Sequence, residues 1–297
     1  MATVQDLKRR IRSVRNTRKI TKAMELVASA RLRRAQARIE AMRPYADRML
    51  ELMIGTARAA ASVHGLPLLR RRDERVIAIL VLTGDRGLAG AFNAQVLRHA
   101  FALERALRDE GKEVRWLVSG KKGSSTLRFR GYDVDRGWMG FSDRPAYADA
   151  QALAHRLAEL YVDEEIDRAV VVYNHFQSAL VQHVVEQDVL PIPEQLLEAG
   201  EEDAERHTAL VGDFIYEPEP EQILARLLPV YVETELYRAL LESAASEQGA
   251  RMTAMRNASK NAGELIDNLT LEMNRARQAE ITQEILEVVA GADALTG

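Results

Sequence analysis

Two stretches, one at each end of the chain, repeat their apolar positions every three to four residues. From Leu7 the apolar and small residues fall at Leu7, Ile11, Val14, Thr21, Ala28, Leu32, Ala35, Ile39, Met42, Ala46, Met49 and Met53. Steps of four and three alternate, the spacing of a seam between two helices rather than of one helix on a globular surface. Arg18 and Thr21 are polar interruptions of that seam, and Pro44 predicts a kink or a local irregularity. A helix from about Thr3 to about Ala61 would be on the order of 85 Å long. The second stretch runs from about Glu221 to about Ala290 and has no proline after Pro229. Ala, Leu, Glu, Gln, Met and Arg dominate it, residues that lose little rotamer freedom in a helix. Its two glycines, Gly249 and Gly263, each cost about 1 kcal/mol against Ala. At on the order of 100 Å it needs a partner along its length, because propensity alone does not hold so long a helix in water. Each stretch is the expected partner of the other, lying antiparallel, with the C-terminal helix outrunning the N-terminal one to form a tip alone.

Between them the pattern changes at Gly65–Pro67. Arg75 to Leu82 (RVIAILVL) is an unbroken apolar run rich in Val and Ile, as in a strand buried on both faces. A turn, Thr83-Gly84-Asp85-Arg86-Gly87, leads into a helical pattern through about Asp109. Further strands are expected at Glu113–Ser119, Arg168–Tyr173 and Leu180–Glu186, with helices at Lys121–Arg130 and Tyr147–Val162. Strands alternating with helices predict an open α/β sheet inserted between the long helices. The expected division is an N-terminal coiled-coil helix at 1–62, the insert with its connecting loops at 63–220, and a C-terminal coiled-coil helix at 221–297.

Composition adds three constraints. Hydrophobic residues are 47% of the 297, enough for a core, while aromatics at 5% favour helix-on-helix packing over a β sandwich. The absence of cysteine excludes disulfides, thiolate metal sites and cysteine nucleophiles. No apolar run approaches the roughly 20 residues that cross a bilayer. The N-terminus carries Lys8, Arg9, Arg10 and Arg12 instead of a signal-peptide core, so a soluble protein is expected. Charge is strongly uneven. Residues 1–48 hold fourteen Lys and Arg against Asp6, Glu25, Glu40 and Asp47, an excess of ten that leaves −13 on the remainder of a chain of net charge −3. Eleven acids against seven bases in 221–290 suit the C-terminal helix as the balancing partner. A long cationic helix tracking nucleic-acid phosphates, and a cationic shaft inside an anionic sleeve of other proteins, are the other readings.

Candidate chemistry is sparse. The glycines of Thr83–Gly90 sit where a strand-to-helix turn cradles a phosphate, but the spacing fits neither a dinucleotide fingerprint nor a nucleoside triphosphate loop. The alternative is a tight turn with close helix–sheet packing. Gly120-Lys121-Lys122-Gly123-Ser124-Ser125 reads as a solvated turn. None of the histidines, His64, His99, His155, His175, His183 and His207, forms the helical pair of a zinc hydrolase, and no serine has a nucleophile-elbow context. The expectation is no catalytic residue, no metal and no cofactor.

Both ends nevertheless carry specific motifs. Ile11-x-Ser13-x-x-Asn16-Thr17-x-Lys19-Ile20-Thr21-Lys22-Ala23-Met24-x-x-Val27-Ala28 resembles the opening of the gamma subunit of bacterial F-type ATP synthases. Ile281-Thr282-Gln283-Glu284-x-x-Glu287-x-x-x-Gly291-Ala292-x-Ala294 is similar to that family's C-terminal signature, and Ser246-Glu247-x-x-Ala250-Arg251-Met252 and Asn274-x-Ala276-Arg277-Gln278-Ala279 also match. In the insert Asp85-Arg86-Gly87-Leu88-x-Gly90-x-Phe92-Asn93 matches, with Ala89 where many members have cysteine. The cysteine-bearing regulatory insertion of chloroplast members is not seen, so thiol control is not expected.

The resemblance implies α/β architecture with a long antiparallel α-helical coiled coil, formed by the N- and C-terminal helices around an inserted open α/β (Rossmann-like) domain. It implies a non-catalytic rotor whose partners are the alpha and beta subunits of the hexamer, the epsilon subunit and the ring of c subunits. No nucleic acid and no direct membrane insertion are implied, and the location is peripheral, on the cytoplasmic face of the plasma membrane. By family analogy Arg277 and Gln278 meet a beta-subunit loop with Thr282 and Glu284 nearby, and Met24, Lys19 and Lys22 approach an acidic beta-subunit loop. Tyr216 and Glu217 fall at the foot on the c ring. A surface that slides past similar partners should not carry a large apolar patch.

Overall fold

The computed structural model describes residues 3–60, 65–193 and 217–296, with side chains described through Ala290. The chain forms two compact units, one of residues 1–28 with 251–297 and one of residues 29–250. Two helices contribute to both, α1 (Val4–Ala59) and α5 (Pro220–Thr296).

The larger unit is built on a five-stranded sheet. Its strands are β1 (Val76–Leu82), β2 (Glu113–Ser119), β3 (Val134–Trp138), β4 (Arg168–Phe176) and β5 (Gln182–Leu190), in the order β3-β2-β1-β4-β5. All neighbours are parallel except β4 and β5, which form an antiparallel edge pair. Leu80 lies beside Leu117 on one side and Val171 on the other, so β1 is the central strand. Because side chains alternate across a strand, the apolar run of β1 supplies both faces of the sheet. Ile77, Ile79 and Val81 face α2 (Phe92–Asp109) and α3 (Lys121–Phe129), packing with Val96, Phe101 and Leu127. Ala78, Leu80 and Leu82 face α4 (Tyr147–Val162) and α5, with Leu153, Leu157, Leu228, Leu236 and Leu240. Met49 and Met53 of α1 join that same core.

β3 escapes sequence reading. Its five residues, Val-Asp-Arg-Gly-Trp, are half-buried at the ends and exposed between them, the charged composition by which an edge strand avoids pairing with another chain. β5 begins two residues later and ends four residues later than expected, because the hairpin turn at Ser178–Val181, closed by Ser178 N–H donating to the Val181 carbonyl at 3.0 Å, takes up Leu180. Pro44 does not end α1. It lies at an exposed position of a continuous helix. Pro229 likewise lies inside α5.

The smaller unit is a two-helix pair. Leu7 and Ile11 of α1 are buried against Ile266 and Leu269 of α5, with Val14, Met273 and Ala276 at the margins. Farther along α1, Glu25 meets Arg256, so the helices run antiparallel. Of the seam positions read from the sequence, Leu7, Ile11, Thr21 and Ala28 are buried here and Leu32, Ala35, Ile39, Met42, Met49 and Met53 in the larger unit, while Val14 and Ala46 are half-buried.

Candidate functional site

Two places were open to function: the glycine turn after β1 and the surface of the helix pair. At the turn, the chain's own groups occupy the positions a ligand would need. Thr83 Oγ1 donates to the Ser119 carbonyl at 2.8 Å and accepts from Gly123 N–H at 2.9 Å. Gly84 N–H donates to Asn93 Oδ1 at 2.8 Å. Asp85 is the hub: its carboxylate accepts Lys121 N–H at 2.9 Å, Gly140 N–H at 2.9 Å and Ser142 N–H at 3.2 Å, and its own N–H donates to Ser142 Oγ at 2.9 Å. Lys121 opens α3, so the amide end that attracts anions already holds Asp85. Gly120 is held at φ 99° with a Cβ position only 2.0 Å from the Thr83 carbonyl oxygen, which requires glycine there. The turn is therefore the close helix–sheet junction rather than a phosphate cradle. Among the described residues no three His, Asp or Glu side chains group to hold a metal.

On the helix pair, Thr21 turns its hydroxyl back to the Arg18 carbonyl at 3.1 Å. The next seam position is Glu25, which periodicity passed over because it is charged. It is buried, and its carboxylate accepts from Lys22 Nζ at 3.0 Å and Arg256 Nε at 3.1 Å. Lys22, then Arg256, holds that carboxyl below the usual range. Arg18 lays its guanidinium across Gly263, at ordinary contact distance from where a Cβ would stand.

The expected balance of charge between the long helices is not what the structure contains. The ion pair Glu25–Arg256 sets an acid of the basic helix against a base of the acidic one. Lys8, Arg10, Arg12, Arg15 and Lys19 carry no ion pair among the described residues. Three acids of α5 are used inside the larger unit instead, while those from Glu264 to Glu287 are exposed. Glu233 accepts from Tyr147 Oη at 2.8 Å and Gln151 Nε2 at 3.1 Å, Glu235 from Gln187 Nε2 at 2.7 Å, and Glu242 lies 2.5 Å from His175 Nδ1. The N-terminal segment therefore keeps a net positive field.

The residues singled out from sequence fall in separate zones. Lys19 is exposed; Lys22 is exposed but tied to Glu25; Met24 is half-buried. Arg277, Gln278, Thr282 and Glu284 are all exposed, with Thr282 Oγ1 donating to the Gln278 carbonyl at 2.9 Å. By the antiparallel register these lie some 15–25 residues of α5 beyond the level of Lys19–Met24, on the order of 30 Å along the axis, so the two groups are not one site. Beyond Ala276 no described residue of α1 reaches α5, and residues 277–290 are exposed on every side. Glu217 is exposed; Tyr216 lies outside the described residues.

Sequence reasoning expected no sizeable apolar surface, and the structure differs. Ile281, Ile285, Leu286, Val288 and Val289 are 47–71% exposed on the single helix, and Ile20, Leu26 and Val27 protrude from α1. Their signal was present in the sequence as apolar residues away from the seam. An unpaired amphipathic end of this kind is built to be covered.

The comparisons with known proteins agree along the whole length. The ATP synthase family model matches residues 3–295. The chain is 45% identical over 296 residues to the ATP synthase gamma chain of Rubrobacter xylanophilus, covering 99% of each. It is 43% identical over 315 residues to that of Nostoc punctiforme, covering 100% of each. Among solved structures, a chain from the central stalk and c ring of the Tetrahymena thermophila mitochondrial ATP synthase is 26% identical with a TM-score of 0.59, covering 81% of this chain and 99% of that one. A chain from the Euglena gracilis mitochondrial ATP synthase assembly of OSCP, F1 and c ring, in rotational state 3, is 19% identical with a TM-score of 0.70, covering 98% and 94%.

Proposed function

The chain belongs to the ATP synthase gamma-chain family, and from that membership we propose how its surfaces divide the work of a rotor. As a central-stalk subunit it transmits torque between the c ring and the alpha/beta hexamer. Residues 1–62 and 221–297 are the shaft, and the insert 63–220 couples it to the ring and to epsilon. We take the chain itself to be non-catalytic: among the described residues the glycine turn after β1 gives its Gly84 amide to Asn93 and its Asp85 amide to Ser142, and Asp85 accepts the amides of Lys121 and Gly140. It works from the cytoplasmic face of the plasma membrane as a peripheral subunit. No helix among the described residues is long and apolar enough to cross a membrane; the chain's attachment we assign to its partners in the complex.

The single observation that supports the contact assignments most is the unpartnered end of α5. Residues 277–290 present a complete helix circumference with no partner among the described residues, and Arg277, Gln278, Thr282 and Glu284 stand at its base. A lone helix of that length is marginal in water and gains its order from a surrounding surface. We assign that surface to the alpha/beta hexamer, with Arg277 and Gln278 as polar holding points and the apolar residues beyond them as bearing surface. Lys19, Lys22 and Met24 form a second contact with the hexamer, and Tyr216 and Glu217 a contact at the c ring.

Co-purification tests the reading. Tagging this chain should recover alpha, beta and epsilon with one copy of the tagged chain to three of beta; recovery without beta would end it. In the assembled complex Arg277→Ala with Gln278→Ala should lower steady-state ATP hydrolysis about tenfold while leaving the isolated chain's unfolding midpoint unchanged, since exposed side chains contribute little to folding.

A further inference from the structure

α5 is enclosed where it crosses the sheet. From Ala239 to Gly249 every residue is buried, including Glu242, Ser243, Ser246, Glu247 and Gln248. Open sheets of this kind take their ligands beyond the carboxyl ends of the strands, at the point where strand order turns back. Here that point lies between β1, which leads on to β2 and β3, and β4 on its other side. The occupant of the crevice is α5. Ser246 Oγ donates to the Asn174 carbonyl at 3.0 Å, and Glu242 pairs with His175, both at the end of β4. Glu247, 1% exposed, lies with its carboxyl group on Gly84 just past β1, where a Cβ would stand 3.0 Å from its Cδ and Oε2.

We propose that Glu247, seated on Gly84, is the positioning residue that fixes the rotational register of the shaft helix in the α/β domain, so that torque passes through this seat. The proposal rests on the rotor reading above. Apolar packing is non-directional and resists rolling of a helix about its own axis only through shape. Glu242, Ser246 and Gly249 share one side of α5 and face β4 and its hairpin; Glu247 projects about 100° away from Ser246, toward β1. The hydrogen-bonded contacts of Glu242 and Ser246 on one side and the close seating of Glu247 against Gly84 on the other oppose rolling in either sense. A buried carboxylate is an expensive way to fill space, and an apolar side chain of similar volume would fill it with less desolvation. What the Glu247 seat adds is a close fit to Gly84 at one rotational setting of the helix.

The test is ATP-driven proton pumping by inverted membrane vesicles carrying the whole complex, normalised to bound complex and to ATP hydrolysed. Glu247→Ala should lower pumping per ATP about fivefold with hydrolysis kept, and Gly84→Ala, which displaces the same carboxylate, should lower it comparably; the double variant should be no worse than either single one. Glu247→Gln, which keeps length and shape, should recover most of the loss and guards against a variant that fails to assemble. Pumping per ATP at the parent level in both Glu247→Ala and Gly84→Ala, or losses that multiply in the double variant, would overturn the proposal while leaving the rotor reading intact. Pumping that survives removal of this chain from the complex would overturn both.

Discussion

Single residues decide more here than their types indicate, and the two glycines of α5 show how. Helix propensity alone treats them as equal costs. At Gly263 an added Cβ would meet the Arg18 guanidinium at 3.5–3.7 Å, ordinary contact distance, so Gly263→Ala should stabilise the isolated chain by about 1 kcal/mol in urea unfolding. At Gly249 the same Cβ would come within 3.2 Å of the Ala179 carbonyl oxygen and Gln182 Nε2, so Gly249→Ala should destabilise it. Asp85 is a second case. Its three accepted N–H bonds join β1, α3 and the 140–142 loop, and Asp85→Ala strands those donors, at a cost of about 2–4 kcal/mol in the same assay. Glu25 adds a pH dependence. Its folded-state pKa is lowered, so its ionised form supports the helix pair fully above the ordinary carboxylate value of 4.5, and that support is lost as pH falls through the lowered value. Thermal unfolding followed from pH about 6 to about 3 should show this acid slope in the parent and a shallower one in Glu25→Gln.

At the scale of elements, the seam of α1 was legible almost position by position because a two-helix interface imposes one spacing on every residue that enters it. The buried strands β1, β2 and β4 were legible for a similar reason: a strand covered on both faces is apolar where it is buried, over all of β1 and in Trp116–Val118 and Ala169–Tyr173 of the others. What the pattern hid were the exceptions to burial. β3 is polar because it is an edge, and Glu25 is charged although it sits in the seam. The partners of the α5 glutamates were also out of reach, since net charge per helix says nothing of which side chains an acid meets; their tyrosine, glutamine and histidine partners come from α4, β4 and β5. The contact residues of the shaft were identified through motif resemblance, and no periodicity distinguishes them from other exposed positions. The free end of α5 was predictable from length alone, and it yields a test. Deleting the residues after Ala290 should change the unfolding midpoint of the isolated chain very little, because the stretch that leads to them, residues 277–290, is already exposed on every side.

For the whole molecule, the distribution of charge and the filled crevice point the same way: outward to partners and away from small ligands. The isolated chain should show no saturable ATP binding in calorimetry below about millimolar concentration, since Asp85 and Glu247 hold the positions phosphates would take. The enclosure of α5 also bears on how the protein is made. Leu224, Leu228, Val232, Leu236 and Leu240 complete the core on one face of the sheet, yet they come from the last quarter of the polypeptide. While the ribosome is still translating, the strands have already emerged with that face covered only in part, by α4 and the end of α1. Contacts so distant in sequence close late. A message cut short near its end would therefore release a product with an open apolar sheet, prone to aggregate, and chaperones would be needed most in the final seconds of synthesis.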